Sequence, residues 1–253
     1  MSQTVERALD IVSFIAERPR TLGEVAELLG VHKSTALRLI QTLESRGFAH
    51  RSPDGRHVAG LALVALGQSA LEQIDLRTIA HPVLRALSDR VGHTIHLAQR
   101  VGEEILYIDK VEGAGTVAMG SRVGRAADLH TAGVSKAILA FMNDAGRRSI
   151  LKRAAFEQYT STTILTMGAL LSELDITRQR GWAEDDGEKE DYINCVALPI
   201  FDASGQVTAA MSVTALRAVA PLEDLRERVP EFRRVAVTIS RELGWKGEDY
   251  ARR

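Results

Sequence analysis

Two groups of side chains in this chain have types and spacings suited to chemistry. The first is Lys33, Ser34, Thr35, Arg38, Gln41 and Thr42, followed by Ser45. At helical spacing these residues share one face of a helix. A face rich in short donors and cations suits a DNA major groove, where Arg reads guanine and Gln reads adenine. The second group is Cys195, Ser212 and Thr214, carried on two strand-like runs. A thiol and two hydroxyls offer hydrogen bonds to a bound molecule. With His130 and Asp185, Cys195 would also meet the inventory of a nucleophile with base and orienter, or of a zinc site, so a cysteine-dependent hydrolase or a metal sensor is the alternative reading. Against catalysis, Cys195 falls mid-strand and not at a helix N-terminus that would activate its thiol. Against a metal, no close Cys/His spacing is present, and His93 and His96, three apart on a strand, point to opposite faces.

The elements that position the first group are legible. Thr21 followed by Glu24 is a capping box at a helix start. Val25, Leu28 and Leu29 continue that helix, and Gly30 supplies a tight turn. A second helix follows from about Lys33 to Arg46, with Ala36, Leu37, Ile40 and Leu43 as its apolar stripe and Gly47 at its end. Phe48–Arg51 and Arg56–Val58 flank the turn Pro53-Asp54-Gly55 and form a hairpin wing, with Arg51 and Arg56 placed to meet phosphates. Residues 31–60 hold five Lys/Arg against two Asp/Glu, a local +3 on a chain of formal charge −1, and His32, His50 and His57 lie in the same stretch. That is the electrostatic footprint of a phosphate-contacting module. Residues 4–18 form a first helix whose side with Val5, Ala8, Leu9, Val12 and Ile15 completes a three-helix core. Gly60–Ile74 reads as a linker helix with Leu61, Leu63, Leu66 and Leu71. Its leucines pack either on their own domain or on a second copy of the chain.

From Asp75 the pattern changes. Leu76–Val91 is helical, strand-like runs follow at His93–Arg100, Glu103–Val111 and Thr116–Ser121, and helices recur at Thr131–Met142, Asp144–Ala155 and Met167–Gly181. Two more strands, Ile193–Phe201 and Gln206–Thr214, flank Asp202–Gly205, and a last helix runs from Pro221 to Leu243. Hairpin strands with helices on one side make an α+β domain around an antiparallel sheet. A four-residue hairpin loop pairs Phe201 with Gln206, Val196 with Met211 and Cys195 with Ser212. One face of that hairpin is then apolar, through Val196, Leu198, Ile200, Val207, Ala209 and Met211. The other carries Cys195, Ala197, Ala210, Ser212 and Thr214, and is either a pocket floor or a face covered by a helix. Glu184–Asp191 reads as a solvated acidic loop apart from Asp185 and Glu188. Tyr107 and Tyr192 read as packing residues, and Arg122 and Arg125 as solvated.

Composition narrows the function classes. A chain of 253 residues has room for two domains. The single cysteine rules out an intrachain disulfide and fits a reducing cytoplasm. The N-terminus lacks a signal pattern, and no apolar run approaches the roughly 20 residues of a membrane span, so no membrane partner is expected. Neither a Walker A loop nor a Rossmann glycine fingerprint is present, and no cofactor is expected.

The run Gly181-Trp-Ala-Glu-Asp185-Asp-Gly-Glu188, then six residues, then Cys195-Val-Ala-Leu-Pro-Ile200-Phe-Asp202, resembles the C-terminal signature of IclR-type transcriptional regulators. Leu129-His130-Thr-Ala-Gly-Val-Ser-Lys136-Ala-Ile-Leu-Ala140 resembles the same family's LHxTxxGKAxLA block, and the N-terminal region resembles its winged helix-turn-helix. The resemblance implies a DNA-binding domain over 1–75 with its linker helix, and a GAF-like effector-binding domain with an antiparallel sheet over 76–253. It implies a homodimer or homotetramer on a double-stranded, near-palindromic operator, and a small effector, often an organic acid. By position, Asp185, Cys195, Ser212 and Thr214 match residues that line the family's pocket. The backbone at Gly133 and Val134 matches the loop that holds an acidic ligand group. One departure is Ser135, which stands where the family has the glycine before the lysine.

Overall fold

The computed structural model describes residues 3–66, 75–113 and 120–247. The chain divides into two compact units, Met1–Ile74 and Asp75–Arg253.

The first unit has helices α1 (Gln3–Glu17), α2 (Leu22–Leu29) and α3 (Lys33–Ser45), then strands β1 (Ala49–Arg51) and β2 (His57–Ala59). The capping box at α2 is complete: the Glu24 amide donates to Thr21 Oγ1 at 3.3 Å, and the Thr21 amide donates to Glu24 Oε2 at 2.8 Å. Gly30 ends α2 in the left-handed region at φ 62°. The core is Ile11, Ile15, Val25, Ala26, Ala36, Ile40 and Ala49. Two expected apolar stripes are corrected. In α1 the buried side runs through Ile11 and Ile15, while Val5 and Leu9 stand exposed. The row through residues 5, 9 and 12 lies one residue, about 100° of helix, round from the row that meets α2 and α3. In α3, Leu37 is exposed, and Leu39 and Leu43 are half-buried beside Ala36 and Ile40.

The wing is extended by Arg20, which exchanges backbone hydrogen bonds with His57 at 2.7 and 2.9 Å. His57 itself is buried with Nδ1 3.1 Å from Glu44 Oε1, so it ties the wing to α3 and does not join the basic surface. Residues 61–66 are helical, with Leu61, Val64 and Leu66 exposed. The rest of the expected linker helix, Leu71 included, lies outside the described residues.

The second unit contains α4 (Leu76–Val91), β3 (Thr94–Val101), β4 (Glu104–Val111), α5 (Gly133–Phe141), α6 (Asp144–Leu151), α7 (Met167–Arg180), β5 (Ala183–Asp186), β6 (Ile193–Phe201), β7 (Val207–Leu216), α8 (Leu222–Glu227) and α9 (Val229–Glu242). Its antiparallel sheet has the order β4-β3-β7-β6-β5. Helices cover both faces, not one. Those of α4, α8 and α9 pack on the face of Ile95, Leu97, Val196, Leu198, Ile200, Met211 and Val213, whereas α5, backed by α7, packs on the other. Strands β6 and β7 are apolar on both sides because both sides are covered.

The β6–β7 register is Cys195 opposite Thr214, Val196 opposite Val213 and Ala197 opposite Ser212, two residues away from the expected pairing. The turn, which pairs Phe201 with Val207 and not Gln206, supplies one residue of the offset and a bulge at Ile200/Phe201 the other, so that Val207 joins Phe201 on the α5 side. A two-residue slip preserves the faces, so Cys195, Ser212 and Thr214 still share one. Of the expected acidic loop Glu184–Asp191, residues 184–186 belong to the edge strand β5, which pairs Asp185 with Cys195, and residues 187–191 form the loop. The expected last helix breaks at Arg228: Pro230 lacks an N–H and its ring would collide with the carbonyl four residues back. Residues 116–119 of the expected third strand lie outside the described residues, and Gly120 and Ser121 are not in a strand.

Candidate functional site

In the first unit, Lys33, Ser34, Thr35, Arg38, Gln41 and Thr42 are all exposed on α3. Ala36 and Ile40 bury the opposite side, which fixes the outward face. Thr42 Oγ1 donates back to the Arg38 carbonyl at 2.9 Å, an intrahelical bond that leaves its oxygen lone pairs outward. On the wing, Arg51 is exposed and its Nε donates to the Gly55 carbonyl at 3.3 Å, while Arg56 lies 3.4 Å from Asp54. Gly55 adopts φ 83°, the left-handed conformation the wing turn needs. This surface consists of solvated cations and hydroxyls on two adjoining elements, the arrangement that contacts phosphates and base edges together.

In the second unit, the sheet face that carries Cys195 is divided. Helix α5 lies on the Ala197/Ala210 end, and a cavity of about 250 Å³ opens over the Cys195, Ser212 and Thr214 end. Both sequence readings of this face therefore apply, each to one half. Gly133 makes the division possible: a Cβ there would sit 2.7 Å from Cys195 Sγ and 3.3 Å from Ala197 Cβ. Without it the α5 N-terminus settles onto the sheet beside the cavity. The N-cap residue Ala132 offers no side-chain cap, so the first amides of α5, Gly133 and Val134, rely on other acceptors. Thr131, also in the cavity wall, is fully buried and its hydroxyl has no partner.

The electrostatics at this end are those of a water-poor site. Burial pushes the Asp185 carboxyl up to about 6, opposed by the nearby Lys136 ammonium and by the Glu188 amide, which donates to Asp185 Oδ1 at 2.8 Å. Burial likewise raises Glu188 to about 7, although Lys136 pairs with its Oε1. Lys136 is fully buried, and Glu188 Oε2 has no partner. Burial pushes the Cys195 thiol well above its usual range, with Asp185 adding to the effect, which keeps it a neutral thiol.

All six sequence-named pocket positions meet: Gly133, Val134, Asp185, Cys195, Ser212 and Thr214 line one cavity. His130 is not among them. Its Nε2 lies 2.9 Å from the Glu157 carbonyl, and its ring packs between Phe156 and Tyr159. Cys195, Asp185 and His130 therefore form neither a triad nor a ligand set, and among the described residues no three His, Cys, Asp or Glu side chains gather as metal ligands. Tyr107 packs on the core and Arg122 and Arg125 are exposed, as read from the sequence, but all three also border the cavity; Tyr192, read as a packing residue, is exposed. Sequence reasoning missed His96. It lies opposite Ser212 in the β3–β7 pairing, and its Nδ1 is 3.2 Å from Thr214 Oγ1. Its alternation with the buried Ile95 and Leu97 signals that it faces away from the apolar side.

Comparison with known proteins covers both units. Family models described as "Bacterial transcriptional regulator IclR C-terminal" and "IclR helix-turn-helix domain" match residues 68–241 and 4–53. The HTH-type transcriptional regulator XynR of Escherichia coli (strain K12) is 32% identical, over 96% of this chain and 98% of its own length. The transcriptional repressor IclR of the same organism is 30% identical, over 95% of this chain and 88% of its own. The crystal structure of the Thermotoga maritima IclR superposes with a TM-score of 0.64 at 35% identity, covering 96% of this chain and 99% of that one.

Proposed function

The chain belongs to the IclR family of transcriptional regulators, and from that membership we propose that it binds a double-stranded operator as a homo-oligomer and releases or tightens it on binding a small carboxylate. The observation that carries the effector half is the cavity beside the α5 N-terminus. A helix N-terminus favours a carboxylate through its dipole and its first amides, which have no acceptor within the helix and no side-chain cap here, the Gly133 amide lying against the Cys195 sulfur. The unpartnered Thr131 hydroxyl in the same wall supports a bound acceptor. Gly133 and Val134 amides, with Thr131, hold the carboxylate; Ser212, Thr214 and Cys195 meet the rest of the molecule; Asp185 accepts from a ligand hydroxyl or amide.

In the first unit, Arg38, Gln41, Ser34 and Thr35 read bases from the major groove. Lys33, Thr42, Arg51 and Arg56 fix the register on phosphates. The exposed apolar side chains Leu61, Val64 and Leu66 support association with a second copy, which a two-half-site operator requires. An effector shifts operator affinity only by its unequal affinity for two arrangements of the oligomer.

The test is an electrophoretic mobility shift with the DNA that flanks the gene for this chain, with and without a panel of organic acids. A retarded band that an acid abolishes or strengthens supports the reading. A band that no acid changes while the acids bind the protein would sever the cavity from DNA control.

A further inference from the structure

We infer that His96, with Ser121 on one side and Thr214 and Ser212 on the other, determines the cavity's specificity by selecting a carboxylate ligand that also bears an uncharged oxygen, a hydroxyl or carbonyl. The inference rests on the reading of this cavity as a carboxylate site and concerns the part of it that the α5 N-terminus does not reach. His96 is buried, and its ring lies 5.4 Å from that of Tyr107. Its Nε2 is 2.7 Å from Ser121 Oγ; its Nδ1 is 3.2 Å from Thr214 Oγ1 and 3.5 Å from Ser212 Oγ. Ser212 Oγ is also 3.4 Å from Thr214 Oγ1. All four residues border the cavity.

The charge of this cluster is fixed first. Burial lowers His96 to about 3, and the Lys110 ammonium lowers it further, so the ring is neutral at physiological pH. A neutral ring has one donor nitrogen and one acceptor nitrogen. With three hydroxyls the cluster owns four polar hydrogens against four contacts, but a protonated ring nitrogen cannot also accept: with the proton on Nε2 the Ser121 hydroxyl hydrogen is unused, and with it on Nδ1 one of the Thr214 and Ser212 hydrogens is. Whichever tautomer holds, at least one hydrogen is left for a ligand, together with hydroxyl lone pairs. An oxygen that accepts, or both accepts and donates, completes the cluster. A second carboxylate at this cluster would meet no cation among the four residues, since Lys110 donates to the Ser121 carbonyl and Arg122 and Arg125 are exposed at the cavity border, so it would exchange hydration there for hydroxyl contacts alone. The placement suits a short acid: β3 is two strands from β6, so the His96 row lies about 10 Å across the sheet from the Cys195 row, and side chains reach inward from both.

The test uses four probes of one length: pentanoate, 5-hydroxypentanoate, 4-oxopentanoate and pentanedioate, titrated calorimetrically into the full-length protein. In the wild type at least one oxygenated monocarboxylate binds about tenfold tighter than pentanoate, the worth of one buried hydrogen bond, and pentanedioate binds no tighter than pentanoate. In His96→Leu the preference falls to about one while pentanoate binding persists, which also reports that the variant is folded. Ser121→Ala, at the cavity edge, lowers the preference in the same direction and serves if His96→Leu does not fold. A wild type that binds pentanoate without oxygen preference, a preference that survives both variants, or pentanedioate as the tightest probe overturns the role of His96 and leaves the carboxylate site standing. Binding of none of the four overturns both.

Discussion

The two polar surfaces of this chain are built on opposite principles. On α3 the functional side chains are fully solvated, held only by the helix that carries them, and carry net positive charge. In the second unit, the polar groups on the sheet side of the cavity, His96, Ser212 and Thr214, are buried and partnered with one another, and the buried Lys136 lies against Glu188 and near Asp185. The first arrangement suits a polyanion that brings its own geometry and responds to salt. The second suits a small molecule that must be recognised by fixed donors in a low dielectric, where burial makes each group count and makes protonation matter. Mutations and solution conditions should separate them.

The largest expected effect lies in the buried charges. Lys136→Met strands Glu188 without its partner and should destabilise the second unit by about 3–5 kcal/mol at pH 8, as for other broken buried pairs. The loss should shrink toward pH 6 as Glu188 takes up a proton. Denaturant unfolding at both values checks it, and an equal loss at both would mean that the pair is not electrostatically coupled.

Next comes the fit of α5 on the sheet. Gly133→Val puts carbon where Cys195 Sγ lies and should cost about 1–3 kcal/mol of stability from overpacking. It should also remove effector binding, since the amide at the helix start moves. Thermal unfolding and titration with the same organic acid read the two effects separately.

On the solvated surface, Arg38→Ala should weaken the cognate operator by about 1–3 kcal/mol and relax base preference at one position, seen by binding to a panel of single-base variants. Arg51→Ala or Arg56→Ala should instead weaken all sequences alike and reduce the salt slope by about one, seen by titrating affinity against salt. If Arg51 affects one base pair and Arg38 affects none, the division between helix and wing is reversed.

The last comparison is of pH dependence. Asp185 and Glu188 sit near 6 and 7 in the folded protein, above their unfolded values. Between the unfolded and folded values the native state holds the extra protons, so stability falls as pH rises from about 4 to about 7. An anionic effector beside Asp185 should likewise bind more tightly as pH falls through about 6. Asp185→Asn should flatten that dependence while operator affinity keeps its wild-type pH profile. A pH-independent affinity in the wild type would place the ligand carboxylate away from Asp185.

The first unit was legible almost whole because its determinants are local. A capping box, a left-handed glycine and a Pro-Asp-Gly turn lie within a few residues of what they position, and α3's outward face follows from Ala36 and Ile40 alone. Where local pattern misled, as for Val5 and Leu9 on α1, packing against two other helices chose between adjacent rows of similar hydrophobicity. In the second unit the residue types of the pocket were readable from the β6–β7 hairpin and the family-like blocks, and side-chain alternation kept their shared face correct through a two-residue register error. Three things lay beyond the sequence. Pairing of β3 with β7 brings His96 opposite Ser212 across 116 residues of chain, and no local rule encodes that pairing. The edge strand β5 looks like a solvated acidic run until β6 supplies its hydrogen-bonding partner. The protonation of Asp185, Glu188 and Cys195 depends on burial, which only the assembled α5, β5 and β6 create. The sequence therefore determined which chemistry each unit holds. The tertiary structure decided which groups face one another and in what charge state, because electrostatic energy depends on distance and dielectric and neither is a property of sequence order.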